Sequence, residues 1–196
     1  MDTSPHLRLI LLSVLGFAPS APFLHAAVME LPAAEKEKIS MPLIVTSPSF
    51  LHDRAIPSRH TCDGQNVSPQ LSWTGIPANA KSLALIVDDP DAPDPAAPKL
   101  TWVHWVLYNI PADSNGLTEG VSVISLPSGT LQGTNDWRRT GYEGPCPPIG
   151  KHRYFFKLYA LDAFLPDLKH PTRAALEKAM QGHVLTHSVL IGVYQR

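Results

Sequence analysis

The chain has 196 residues, 44% hydrophobic and 17% charged, which is enough apolar material for one sizeable core and too much for a disordered segment. Sixteen basic against seventeen acidic residues leave a net charge of -1, with no Lys/Arg run and no lopsided half. A nucleic-acid partner is therefore not expected, because displacing counterions from phosphates takes a basic footprint. The 20 prolines are about twice ordinary usage and follow no period, so they read as stiffeners of a turn-rich fold.

In chain order, Leu9 to Ala18 (LILLSVLGFA) is an apolar run preceded by Arg8 and the amino terminus. It is shorter than the roughly 20 residues a bilayer span needs, and His25-Ala26-Ala27 offers a cleavage site after it. Residues 1–27 read as a signal peptide, 28–40 as a polar lead-in and 41–196 as one folded domain. The mature chain is expected to be periplasmic or secreted. No second apolar run reaches the length of a membrane helix, so no transmembrane segment is expected in the mature chain.

Strands are predicted over Leu43–Phe50, Ser82–Asp88, Thr101–Ile110, Arg153–Leu161 and Ser188–Val193. The second is apolar at nearly every position, as a strand buried on both faces should be. In the third, alternation puts Trp102, His104, Val106, Tyr108 and Ile110 on one face and Val103, Trp105 and Leu107 on the other. A helix over Ala174–Met180 has Thr172 to cap its start and Gly182 to end it. The expected fold is mainly β and sandwich-like, with one or two peripheral helices.

The two cysteines, Cys62 and Cys146, form a disulfide as the first expectation for an exported chain, with a pair of inert thiols as the alternative. His60-x-Cys62 lacks the close CxxC partner of a structural zinc site, and the sequence points to no metal or cofactor.

Three segments carry more chemistry than architecture requires. Asp88-Asp89-Pro90-Asp91-Ala92-Pro93-Asp94 follows a buried strand, and its spacing fails as a calcium loop: counting from Asp89, the sixth position is Asp94 and the twelfth is Leu100. Asp91 and Asp94 read as a solvated acidic turn, whereas Asp89, beside the strand, is placed in a pocket. His104 sits in mid-strand, where a neighbouring carboxylate would make it an anion-binding donor. The run from Gly141 to Tyr154 alternates glycines and prolines so that backbone N–H groups can face an anion. His152 and Tyr154 close that run on one strand face.

DPDAP at Asp89–Pro93, HWV at His104–Val106 and GPCPPxGxHRY at Gly144–Tyr154 together resemble the phosphatidylethanolamine-binding protein family, closest to its bacterial Raf-kinase-inhibitor-like branch. The segments His60–Trp73 and Gly133–Asp136 are similar to that branch as well, so the resemblance covers Leu43 to the C-terminus. It implies a β-sandwich-like fold with a small pocket for phosphate, a phospholipid headgroup or a similar anion. Carried over by motif, the ligand-binding residues would be Asp89, His104, Gly144, Cys146, Pro148, His152 and Tyr154. Asp89 would orient the imidazoles and meet any ligand ammonium, His104 and His152 would donate to oxygens, and the backbone from Gly144 to Cys146 would complete the cradle.

The leading expectation is an exported binding protein for a small anionic or phosphorylated ligand. The alternative is an inhibitor or modulator, kinase- or protease-directed, that docks on a partner protein. An enzyme ranks last, because there is no GxSxG, HExxH, P-loop or CxxC; a zinc hydrolase would have to use His60, Cys62 and His152.

Overall fold

The computed structural model describes Met1 and residues 41–196; apart from Met1, the stretches read as signal peptide and lead-in lie outside the described residues. In chain order the elements are β1 (Ile44–Thr46), β2 (Arg54–Ala55), β3 (Leu71–Thr74), β4 (Ser82–Asp89), β5 (Trp102–Pro111), β6 (Gly116–Leu117), β7 (Leu131–Gln132), β8 (Lys151–Leu161), α1 (Arg173–Met180) and β9 (Val184–Gln195). The fold is mainly β. One sheet has the order β1-β3-β6 and the other β2-β9-β8-β4-β5-β7, all antiparallel except the β2–β9 pair.

The main core lies between the sheets, where Val45, Leu71, Trp73 and Leu117 of the smaller sheet meet Leu83, Leu85, Val87, Leu107, Phe156 and Leu158 of the larger. A second core lies on the other face of the larger sheet, where Leu176 and Met180 of α1 cover Ala84, Ile86, Val106 and Tyr108. Every residue of β4 is therefore buried, which explains a strand written as a continuous apolar run. The Thr172 hydroxyl accepts from Ala175 N at 3.3 Å and caps α1, a contribution of about 1 kcal/mol. Gly182, at φ 80°, follows the helix in the left-handed region that glycine enters without steric cost.

Strict alternation fails in β5, which carries two bulges. Val87 and Asp88 are consecutive in β4, yet they oppose Trp105 and Val103, leaving His104 as an extra residue. Likewise Leu83 and Leu85 oppose Ile110 and Leu107, with Asn109 at φ 54° in the interval and its amide paired both ways with the Leu165 backbone at 2.8 and 2.9 Å. Val103 thus joins Val106 in the second core, and Ile110 joins Trp105 and Leu107 in the main one. The expected assignment of Val103 and Ile110 is corrected, and His104 does not share the Val106 face.

Strand β1 ends at Thr46 instead of reaching Phe50, because Pro48 has no N–H to offer and the Ser47 hydroxyl turns the chain by accepting from Ser49 N and donating to Gln70 O. Strands β2, β6 and β7 have two residues each, too few for any periodicity to announce them. Cys62 and Cys146 form a disulfide that closes a separation of 84 residues. The non-reduced protein should be two hydrogens lighter by intact mass than the reduced one, and replacing both cysteines with Ser should lower unfolding free energy by about 4–5 kcal/mol in denaturant titration.

Candidate functional site

Antiparallel pairing places the C-terminal end of β4 beside the starts of β5 and β8: Asp89 opposes Trp102, and Asp88 opposes both Val103 and Phe155. At this end of the larger sheet, Asp89, His104, Cys146, Pro148, His152 and Tyr154 surround one cavity of about 340 Å³. Ala92, Pro93, Trp102, Trp137 and Pro147 complete its wall.

The polar groups are held by short bonds. His152 is wholly buried, with Nδ1 2.6 Å from Asp89 Oδ2 and Nε2 donating to Ile149 O at 3.0 Å. A hydrogen on Nε2 meets the carbonyl, and the short Nδ1 contact holds the ring against the Asp89 carboxyl. Burial raises the Asp89 pKa, opposed by the bonds from His152 and from Asp91 N, which reaches Oδ1 at 2.8 Å.

His104, 3% exposed, donates from Nδ1 to Glu143 O at 2.6 Å, while its own carbonyl accepts from Glu143 N at 3.2 Å. The bulge frees both groups from β4 and turns them to the loop. Asp89 therefore orients His152 alone, and the expectation that it orients both imidazoles is corrected. Burial brings the His104 pKa down to about 4, so the ring is neutral at pH 7 with its hydrogen on Nδ1. The ring meets Tyr154 edge-on at 5.2 Å and Trp137 at 5.0 Å.

Two of the lining residues carry a donor, Trp102 Nε1 and the Tyr154 hydroxyl, that is buried without a hydrogen-bond partner among the described residues. Each such group costs about 1–3 kcal/mol. Burial also raises the Tyr154 pKa, so the phenol keeps its proton and remains a donor.

Gly144 is not in the wall. Its N–H donates to Asn66 Oδ1 at 2.7 Å, and a Cβ there would stand 2.2 Å from His60 O. It is scaffold, and the expected contribution of its N–H to an anion cradle is corrected. The stretch from His60 to Asn66 buttresses the same turn: Tyr142 OH donates to His60 O at 2.8 Å, Cys62 N to Pro145 O at 3.0 Å, and Asn66 Nδ2 to Glu143 Oε2 at 2.8 Å. With Cys62 tied to Cys146, the zinc arrangement of His60, Cys62 and His152 loses a ligand.

Asp91 is 5% exposed, contrary to the solvated turn expected of it. It accepts from Arg153 N and Nε, both at 2.9 Å, and from an Arg153 terminal nitrogen at 2.7 Å, which pins the acidic loop to β8. The Arg153 guanidinium lowers the Asp91 pKa. Sequence reading missed Trp102 and Trp137 as wall residues. The available signal was the Gly133–Asp136 motif just before Trp137: Asn135 Oδ1 accepts from Trp137 N and Arg139 N, both at 3.1 Å, and Asp136 Oδ2 accepts from Val103 N at 2.7 Å.

The chain is thus a two-sheet β domain with a small cavity at the end of its central strands, walled by His, Tyr and Trp. The sequence profile of the phosphatidylethanolamine-binding protein family matches residues 46–195. A UPF0098 protein of Methanothermobacter thermautotrophicus is 56% identical over 142 residues, covering 72% of this chain and 91% of the relative. A crystal structure of a phosphatidylethanolamine-binding protein homologue from Chlamydia trachomatis is 39% identical with a TM-score of 0.73, covering 79% of this chain and 98% of that one. YbcL of E. coli, described as a member of the mammalian PEBP family, is 30% identical with a TM-score of 0.72, covering 80% and 99%. The chain belongs to the phosphatidylethanolamine-binding protein family.

Tyr154→Phe removes a hydroxyl that has no partner among the described residues. The variant should melt at or above the wild-type temperature in a thermal unfolding measurement, because the lost group is desolvated and unpaired. A lowered melting temperature would assign the hydroxyl to the fold instead.

Proposed function

We propose that this chain is an exported binding protein whose cavity receives a small oxyanion, of which the phosphate of a phospholipid headgroup is the leading example. The observation that carries this reading is the cavity of about 340 Å³ at the end of the central strands, where Asp89, His104, His152 and Tyr154 meet. Membership of the family supports it. Binding is favoured over catalysis because the wall offers no activated nucleophile: Cys146 is held in the disulfide, and burial raises the Tyr154 pKa.

A calorimetric titration with glycerophosphoethanolamine tests the reading. Saturable binding is expected, and His104→Ala should weaken it at least tenfold while circular dichroism stays unchanged. No saturable binding by the folded wild type would refute it. For export, N-terminal sequencing of the protein recovered from a secreting bacterial host should begin after Ala26 or Ala27; a retained Met1 in the cytoplasmic fraction would overturn that part.

A further inference from the structure

Three successive residues of the cavity wall, Cys146, Pro147 and Pro148, make no hydrogen bond among the described residues. Two of them are prolines and have no N–H to offer. The chain on either side is fixed. Before them, Pro145 O accepts from Cys62 N at 3.0 Å, Gly144 N donates to Asn66 Oδ1 at 2.7 Å, and Glu143 O accepts from His104 Nδ1 at 2.6 Å. After them, Ile149 O accepts from His152 Nε2 at 3.0 Å, and Gly150 lies against the Pro95 ring, where a Cβ would stand 2.7 Å from Cγ. Between those anchors the specific tether is the bond from Cys146 to Cys62. Both cysteines are exposed, and an exposed disulfide is open to thiolate attack in a way that one sealed in a core is not.

We infer that Cys62–Cys146 is a thiol–disulfide exchange site whose redox state sets the cavity wall: a dithiol reductant opens it in the folded protein, releases Cys146–Pro148 and weakens binding in the cavity. The effect on binding rests on the proposed binding function; the release of the wall does not. A thiolate of the dithiol attacks one sulfur of the pair and forms a mixed disulfide, while the other sulfur leaves as a thiolate and takes up a proton. The second thiol of the reductant then loses its proton and attacks the mixed disulfide. The remaining protein sulfur leaves and is protonated in turn. Two electrons and two protons pass to the protein, which gains two thiols, and the dithiol becomes a disulfide.

The change stays local because the bonds that hold residues 142–145 do not involve sulfur. Tyr142 OH stays on His60 O, Gly144 N on Asn66 Oδ1 and Glu143 on His104, so the proline stretch alone gains freedom. A bound group must then order residues that the disulfide otherwise holds ready, which costs affinity. Trp102 and Trp137 line the same cavity and are half-buried, whereas Trp73 and Trp105 are buried in the main core. Access of a quencher to tryptophan therefore reports on the wall without any ligand.

The full protein, treated with dithiothreitol and then iodoacetamide without denaturant, should gain two carbamidomethyl groups by intact mass while its circular dichroism stays unchanged. Acrylamide quenching of tryptophan emission should rise about twofold on reduction, as expected of a local opening. Glycerophosphoethanolamine affinity, by calorimetry under anaerobic dithiothreitol, should fall about tenfold, and reoxidation should restore both values. Cys62→Ser/Cys146→Ser should show the reduced values and ignore the dithiol. Thiols that appear only in denaturant, or circular dichroism lost together with the disulfide, would overturn the inference and make the bond a staple of the whole fold. A folded, reduced protein with unchanged quenching would overturn the release of the wall, and unchanged affinity would overturn its coupling to binding; either leaves the binding function standing. Absence of binding in both redox states would refute the proposed function, and quenching would then decide the release of the wall by itself.

Discussion

Two adjacent carboxylates end the strand that is buried on both faces, and much of the molecule is arranged to offset their desolvation. Asp88 and Asp89 are 0% and 4% exposed, and burial raises the pKa of each. Strand alternation sends them in opposite directions. Asp88 faces the second core, where Lys157 Nζ reaches it at 2.7 Å and Arg173, in the first turn of α1, at 3.3 Å. Asp89 faces the end of the main core, where His152 meets it. One carboxylate ties the helix to the sheet; the other organises the cavity.

The loops around the cavity depend on one another in the same way. The turn from Tyr142 to Pro148 has little regular structure of its own and is held from outside. His60, Cys62 and Asn66 take its backbone and side chains from one flank, the disulfide secures it covalently, and His104 clasps Glu143 through two bonds from the other. Gly144 is required because the His60 carbonyl occupies the space of a Cβ. A long motif around His60–Trp73 is thus accounted for by the support it gives to a site it does not line.

What results is a mostly apolar cavity, walled by prolines and tryptophans around a few polar groups, with no Lys or Arg in its lining. Of its two histidines, one is held against a carboxylate and the other is neutral in a buried, aromatic setting. Under the proposed function, both rings serve as fixed walls for the bound group.

Strands β4, β5 and β8, the capped helix and the mainly β class were legible because runs of eight or more residues carry their own apolar pattern, and Thr172 and Gly182 act within one turn of α1. Six of the residues that meet at the cavity, Asp89, His104, Cys146, Pro148, His152 and Tyr154, were legible through short motifs, and the cysteine pairing was one of two readings the sequence left open. Tertiary structure alone decided that His104 sits on a bulge and bonds Glu143 instead of Asp89, that Asp91 is buried under Arg153, that Gly144 is scaffold, and that Trp137 joins the wall. The physical reason is range. Periodicity and capping are interactions between near neighbours in the chain, whereas the register of two strands joins residues beyond any helical or strand period, and the partner of a ring nitrogen or a buried carboxylate lies 39 to 63 residues away.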